Sequence, residues 1–365
     1  MSGTAPSRGT GAVSAWEKNV RRVIPYVPGE QPKNLEKIIK LNTNEFPYPP
    51  CPAVREALKR LDAGLLRLYP DPAAEPLTSA IALRYGVGSD QVFVGTGSDD
   101  VLSMAFLTFF YGKDPVLFAD ITYSFYDVWA EVYRIPYEII PLDERFHIRK
   151  EDYYRKNGGI IIANPNAPTG IDEAGDLSFF EDIVKNNPSG VVIFDEAYVD
   201  FGGTSALPLT KKYDNVLIVQ TFSKSRAFAG MRIGYAIGSP RLIKYMNDVK
   251  YSVNSYTMNR PAIELGVAAL SDEAYFKETV DKVIRTRERT KKELRALGFE
   301  VSDSRTNFVF CTHPRKKARE IFESLKEQGV YVRYFNKPRI DNHLRISIGT
   351  DEEMDRLCQL LSNIL

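Results

Sequence analysis

Lys224 and Arg232 stand eight residues apart in "QTFSKSRAFAGMRIG", between the apolar runs "NVLIV" and "GYAIG". A lysine amine kept from solvent can attack a carbonyl and form a Schiff base. A guanidinium fork matches two phosphate oxygens better than the point charge of a lysine does. Upstream, "VVIFD" ends in Asp195, with Tyr198 three residues on. A carboxylate at the end of such a buried run needs a cationic or N–H partner. One candidate is a helix N-terminus, which Asp often caps; the other is the protonated ring nitrogen of a bound cofactor. "GTGSDD", Gly95 to Asp100, sets bare backbone N–H groups before a helical pattern, a place that attracts anions. By itself that stretch reads equally as a tight strand-to-helix turn or as an anion site: it has neither the third glycine of a dinucleotide site nor a Walker lysine.

These residues share a position in the sequence grammar. "QVFVG", "PVLFAD", "GGIIIAN", "GVVIFD" and "NVLIVQ" are near-continuous apolar runs, each followed by a polar turn and most by a helical stretch. This pattern predicts a mostly parallel α/β sheet covered on both faces. In such sheets ligands bind beyond the carboxyl ends of the strands. There the chain delivers "GTGSDD", "DITYSFY", "NPNAPTG", Asp195 with Tyr198, and Thr221, Ser223 and Lys224. Beyond residue 261 the texture changes to a long charged helical stretch, then to short strands "NFVFCTH", "GVYVRYF" and "LRISIG" alternating with helices. The expected organisation is an N-terminal arm with part of a small domain (1–55), a large domain (56–260) and a small α+β domain (261–365).

Composition sets the outer limits. The 365 residues are 44% hydrophobic and 26% charged, with a net charge of +1, the balance of an ordinary globular protein. That balance argues against nucleic acid as partner, so an anionic ligand has to be caught by local groups. Cys51, Cys311 and Cys358 form no paired spacing and the three histidines are scattered, so neither a disulfide framework nor a metal site is expected. The polar leader "MSGTAPSRGTGAVSA" has no apolar stretch of a secretory signal and reads as a floppy tail. With no run long enough to span a membrane, the expected location is the cytoplasm.

A strand-end Asp, a Schiff-base lysine and an arginine at a phosphate site together meet the needs of pyridoxal phosphate. The pattern T-x-S-K-x-x-x-x-x-G-x-R-x-G, from Thr221 to Gly234, resembles the cofactor-attachment motif of fold-type I aminotransferases. Within them the ordered set "PYVPG", "LNTNE", "YPD", "GSDD", "NPNAPTG" and "LRISIGT" most resembles the histidinol-phosphate aminotransferase family. The resemblance implies a large cofactor-binding domain, a smaller α+β domain and pyridoxal phosphate carried on Lys224. It implies that Asp195 holds the pyridine nitrogen, Tyr198 donates to the ring O3′, and Tyr123 stacks on the ring. Thr221, Ser223, Arg232 and the N–H groups of Ser98 and Asp99 would clamp the phosphate, joined by Tyr69 from a neighbouring subunit of a homodimer. Tyr26, Asn44, Arg333 and Arg345 would bind the substrate, L-histidinol phosphate, with glutamate and 2-oxoglutarate in the other half-reaction.

One position departs from the family pattern. The residue before Pro-Thr-Gly, usually an Asn on O3′, is Ala167. Either Asn166 reaches the ring instead or Tyr198 holds O3′ alone. Related families implied by the same motifs are aromatic amino-acid aminotransferases and the threonine-phosphate decarboxylases of cobalamin synthesis. A binding protein that kept the fold without catalysis is disfavoured by the intact Asp195, Tyr198, Lys224 and Arg232 set.

Overall fold

The computed structural model describes residues 15–32, 38–173 and 175–365, so the expected floppy leader lies almost wholly outside the described residues. In chain order the strands are β1 (Ile39–Lys40), β2 (Val92–Gly95), β3 (Val116–Ala119), β4 (Tyr137–Ile140), β5 (Gly159–Ala163), β6 (Val192–Asp195), β7 (Val216–Thr221) and β8 (Gly234–Gly238). They continue as β9 (Glu300–Val301), β10 (Phe308–Thr312), β11 (Val330–Tyr331), β12 (Arg333–Tyr334) and β13 (Leu344–Ser347). The helices are α1 (Pro52–Arg60), α2 (Glu75–Tyr85), α3 (Ser98–Phe109), α4 (Tyr126–Tyr133), α5 (Ser178–Lys185), α6 (Pro240–Val253), α7 (Arg260–Leu270), α8 (Glu273–Ala296), α9 (Ala318–Glu327) and α10 (Asp351–Ile364).

Seven strands form the main sheet in the order β2-β8-β7-β6-β5-β3-β4. β8 runs antiparallel to both its neighbours, while β3 to β7 pair in parallel. Alternate side chains of a strand face opposite sides. Ile161, Ile193, Leu217 and Val219 join one core with Phe106 of α3, Trp129 of α4 and Met246 of α6. Ile160, Ile162, Val192, Phe194 and Ile218 join the opposite core with Phe180 and Ile183 of α5. Both faces are therefore apolar, which explains why these strands read as unbroken hydrophobic runs. Each such side chain contributes about 1.5–3 kcal/mol through burial, and the strand ends are held rigidly as a result. Edge strand β4 was not legible in this way: Glu138 and Ile139 are exposed, so its sequence carries no apolar run.

The second sheet, β12-β13-β10-β9, is antiparallel and packs with α8, α9 and α10. A capping box starts α10: the Thr350 hydroxyl accepts from Glu353 N–H, and the Glu353 carboxylate accepts from Thr350 N–H at 2.8 Å. The N-terminal segment joins this unit, since β1 pairs in parallel with β11. Helix α7 shares a core with β2, β8 and α2 through Ala262, Ile263, Leu265 and Ala269. The texture change expected near 261 thus falls at a helix that packs on the large sheet. Buried Arg287 of α8 ties the units together by donating to the Phe201 and Thr306 carbonyls at 2.8 and 2.9 Å.

Candidate active site

Parallel pairing sets Ala163, at the end of β5, beside Asp195, at the end of β6, with β7 following on the other side. Their carboxyl ends open into one pocket, lined by Asp195, Tyr198, Thr221, Ser223, Lys224 and Arg232 together with Ser98, Asp99 and Tyr123. Nine of the sequence-expected residues therefore meet in one cavity. Asp195 is 5% exposed and accepts from the Tyr126 hydroxyl at 2.8 Å and from Ala197 N–H at 3.2 Å. Among the described residues no cation pairs with it. Burial pushes its carboxyl up to about 6, against the pull of the Tyr126 hydrogen bond. Such a carboxylate is suited to a cationic ligand group.

At the other end of the pocket, α3 begins at Ser98 and the chain approaches itself closely. A Cβ on Gly97, whose φ is +91°, would lie 2.4 Å from Arg232 Nη2, and one on Gly234 would lie 2.3 Å from Ser98 N. Only glycines permit this approach, which brings the first N–H groups of α3 and the Arg232 guanidinium to one spot. Arg232 pairs with Asp99 at 3.3 Å and donates to Ser223 Oγ at 3.4 Å. Thr221 Oγ1 in turn donates to Ser223 Oγ at 3.0 Å. The second Asp99 oxygen accepts from the Tyr123 hydroxyl at 2.7 Å, and burial followed by this charge pushes the phenol well above its ordinary value. Hydroxyls, helix N–H groups and a guanidinium form an anion cradle.

Between these poles stands Lys224. Its Nζ donates to the Thr43 carbonyl at 3.3 Å and lies 5.5 Å from the centre of the Tyr198 ring. Arg333 and Arg345 are direct cross-strand partners on β12 and β13. Arg345 donates to the Asn42 carbonyl at 3.0 Å, but its buried Nε has no partner. Burial, then Arg333, holds its guanidinium below the ordinary value. Among the described residues neither arginine pairs with a carboxylate, which leaves two cations side by side. Tyr26 stacks on Phe125 with centroids 4.2 Å apart, and the arm that carries it passes Arg333 at Gly29.

Other expected residues sit differently. The Asn166 amide is fully committed: Nδ2 donates to the Ile121 carbonyl (2.9 Å) and Thr169 Oγ1 (3.0 Å), and Oδ1 accepts from Thr122 (2.9 Å). Ala167, not Asn166, lines the pocket. Asn44 is buried beneath the pocket wall and donates to the Tyr198 hydroxyl at 2.9 Å. Tyr69 is 80% exposed and stacks on Tyr256, away from this chain's pocket. Tyr126 was missed. A tyrosine within the apolar pattern of α4 gives no sign that its hydroxyl will reach a carboxylate 69 residues away.

The residues present fit pyridoxal phosphate on three observations: an unpaired buried carboxylate, a cradle that a Cβ would fill, and a lysine between them. Comparisons with known proteins agree. Residues 36–361 match the family model described as aminotransferase class I and II. The chain is 52% identical over 350 residues to histidinol-phosphate aminotransferase 1 of Hydrogenovibrio crunogenus, covering 96% of this chain and 98% of that protein. It is 49% identical over 351 residues to histidinol-phosphate aminotransferase of Lactococcus lactis subsp. cremoris, with coverage of 96% and 98%. Among solved structures it is similar to histidinol-phosphate aminotransferase from Sinorhizobium meliloti in complex with pyridoxal-5'-phosphate: TM-score 0.80, 25% identity, 90% of this chain and 91% of that one. Aspartate aminotransferase from Thermus thermophilus with maleate shares the fold at a TM-score of 0.75 and 21% identity, with coverage of 90% and 92%.

Proposed function

The chain belongs to the class I and II aminotransferases, and we propose that it exchanges an amino group between L-histidinol phosphate and 2-oxoglutarate in histidine biosynthesis, with pyridoxal phosphate as cofactor. The observation that carries the substrate is the Arg333–Arg345 pair. Arg333 and Arg345 are cross-strand partners on β12 and β13, among the described residues neither pairs with a carboxylate, and one buried Nε is unpartnered there. A buried donor without a partner costs about 1–3 kcal/mol, which a dianionic phosphate in that place offsets. Relatives about half identical over 96% of the chain carry the same activity in their names, which supports the reading.

When bound, the cofactor's protonated ring acts as an electron sink that eases loss of the substrate Cα proton. Asp195 holds the proton on the ring nitrogen, and its uncompensated burial supplies the reason to seek that cation. Lys224 would hold the cofactor and, as a free amine, would move the proton at the substrate Cα. Arg232, Thr221, Ser223 and the N–H groups of Ser98 and Asp99 hold the phosphate; Tyr123 covers the ring face. With Ala167 presenting only a methyl, Tyr198 alone would donate to O3′. Arg333, Arg345 and Tyr26 bind the substrate phosphate, and Arg345 takes a carboxylate of glutamate in the return half-reaction.

The enzyme works as a cytoplasmic homodimer. Leu66 (62% exposed), Tyr69 (80%) and Val253 (59%) are apolar side chains at the surface that a second copy would cover, bringing Tyr69 to the partner's phosphate cradle. The test is the visible spectrum of the purified protein as L-histidinol phosphate is added, with L-phenylalanine in parallel. A yellow band that fades at low histidinol phosphate and returns with 2-oxoglutarate is expected. Fading with phenylalanine alone would overturn the substrate. Lys224→Ala is expected to abolish turnover and the band; an active, yellow variant would sink the cofactor assignment.

A further inference from the structure

Residues 42–44 touch three functional side chains at once. The Asn42 carbonyl accepts from Arg345, the Thr43 carbonyl from Lys224, and Asn44 Nδ2 donates to the Tyr198 hydroxyl. Asn44 is 1% exposed and does not itself line the pocket. Its surroundings dictate which way its amide points. Ser347 Oγ accepts from Asn44 N–H at 2.8 Å and gives its single proton to Asn44 Oδ1 at 2.9 Å. The amide oxygen is therefore engaged, and the amide NH₂ faces Tyr198. Asn307 Nδ2 donates to the Asn44 carbonyl at 2.9 Å and fixes the backbone, which adopts a φ of 57° that Asn tolerates.

A phenol has one proton and acceptor lone pairs. By accepting from Asn44, Tyr198 fills its acceptor side and keeps its proton for a partner in the pocket. Across that pocket Ala167 offers no polar side chain, and the Asn166 amide is engaged elsewhere. Resting on the reading of this pocket as a pyridoxal phosphate site, we propose that Asn44 is a positioning residue that aims the Tyr198 proton at the ring oxygen of the cofactor, a task that Ala167 cannot share. The anchor of this arrangement is Ser347, two residues beyond Arg345 on the same face of β13. The arginine proposed to bind substrate and the anchor of the positioning amide thus sit on one strand.

The experiment is a pH titration of the visible absorbance of the cofactor-loaded protein, which reports the basicity of the Lys224 nitrogen in its linkage to the cofactor. A proton donated to the ring oxygen lowers that basicity. Asn44→Asp presents only acceptors, so it draws the Tyr198 proton out of the pocket. The expected result is a midpoint raised by about one pH unit, the size of one hydrogen bond to a charged group. Ser347→Ala, which frees the amide to turn over, is expected to shift it the same way by less. Groups facing the lysine, namely Asp99, Tyr123, Asp195, Tyr198, Arg232 and Glu45, stay unchanged in both variants. Because Asn44→Asp also adds charge, each variant is repeated in a Tyr198→Phe background, where no proton is left to divert. The shift is expected to shrink by more than half there. An equal shift in both backgrounds, or none in either, would overturn the proposal. A wild-type protein without a titrating visible band would instead overturn the cofactor reading beneath it.

Discussion

Replacing Asp195 by Asn separates what the site needs for folding from what it needs for cofactor. In the cofactor-free protein the carboxyl is raised from 3.8 to about 6, because burial disfavours its charged form by more than two hydrogen bonds and the Lys224 charge favour it. That gap corresponds to about 3 kcal/mol of destabilisation when the group is ionised. Above pH 6 the folded chain bears this cost in full. Between about pH 6 and pH 4 the folded form takes up a proton that the unfolded chain does not, so stability rises as pH falls. Below both values the carboxyl is neutral in both states and the cost is gone. The introduced amide is neutral throughout, but its one oxygen cannot accept from both Tyr126 and Ala197, a constant loss of about 1–2 kcal/mol. Asp195→Asn is therefore expected to stabilise the cofactor-free protein by about 1–2 kcal/mol at pH 8 and to destabilise it by a similar amount at pH 4. The neighbouring buried Glu196, pushed up by burial to about 7, is common to both proteins and drops out of the difference. Denaturant unfolding of the two cofactor-free proteins at both pH values measures it. With cofactor bound the order is expected to reverse, since the ring nitrogen loses its counter-ion. A variant effect that is the same at pH 8 and pH 4 would refute the argument from burial.

Arg333→Ala is expected to cut kcat/KM for histidinol phosphate far more than for phenylalanine; equal losses in steady-state assays would show that Arg333 does not read the phosphate. Gly97→Ala adds a Cβ 2.4 Å from the Arg232 guanidinium at a backbone φ of +91°. The strain is about 1–3 kcal/mol, and cofactor affinity measured by equilibrium dialysis is expected to fall at least about tenfold. Leu66→Asp puts a charge on the exposed apolar surface beside Tyr69. The expected outcome in analytical ultracentrifugation is a shift towards monomer together with weaker cofactor binding; a fully dimeric variant would place the interface elsewhere.

Much of the site was legible because its chemistry lies at the ends of buried strands, where pattern and function are local. Val192 to Phe194 are apolar because both sheet faces are covered, so Asp195 stood out as a charge where none is cheap. Lys224 and Arg232 follow the same sheet's next strand by a few residues, and the glycines around them marked a close approach. Other features carried no local sign. Strand β8 runs against its neighbours and β4 lies at an exposed edge, matters of pairing that a run of residue types does not encode. Asn44 and Ser347 meet across 303 residues of sequence, and Tyr126 finds Asp195 across 69. With Ala167 in the family's Asn position, Asn166 at the ring oxygen or Tyr198 alone were the two alternatives, and the Asn166 amide is held by Ile121, Thr122 and Thr169. An amide can serve either place, and only the packed fold decides which groups are near enough to claim it. Residue type and strand periodicity thus marked Asp195 and Lys224 as groups that could do chemistry, and at which end of the sheet, while the family resemblance supplied the roles of the others. Which way their protons and lone pairs point was decided by long-range packing, because a hydrogen bond depends on a few tenths of an ångström that no local pattern specifies.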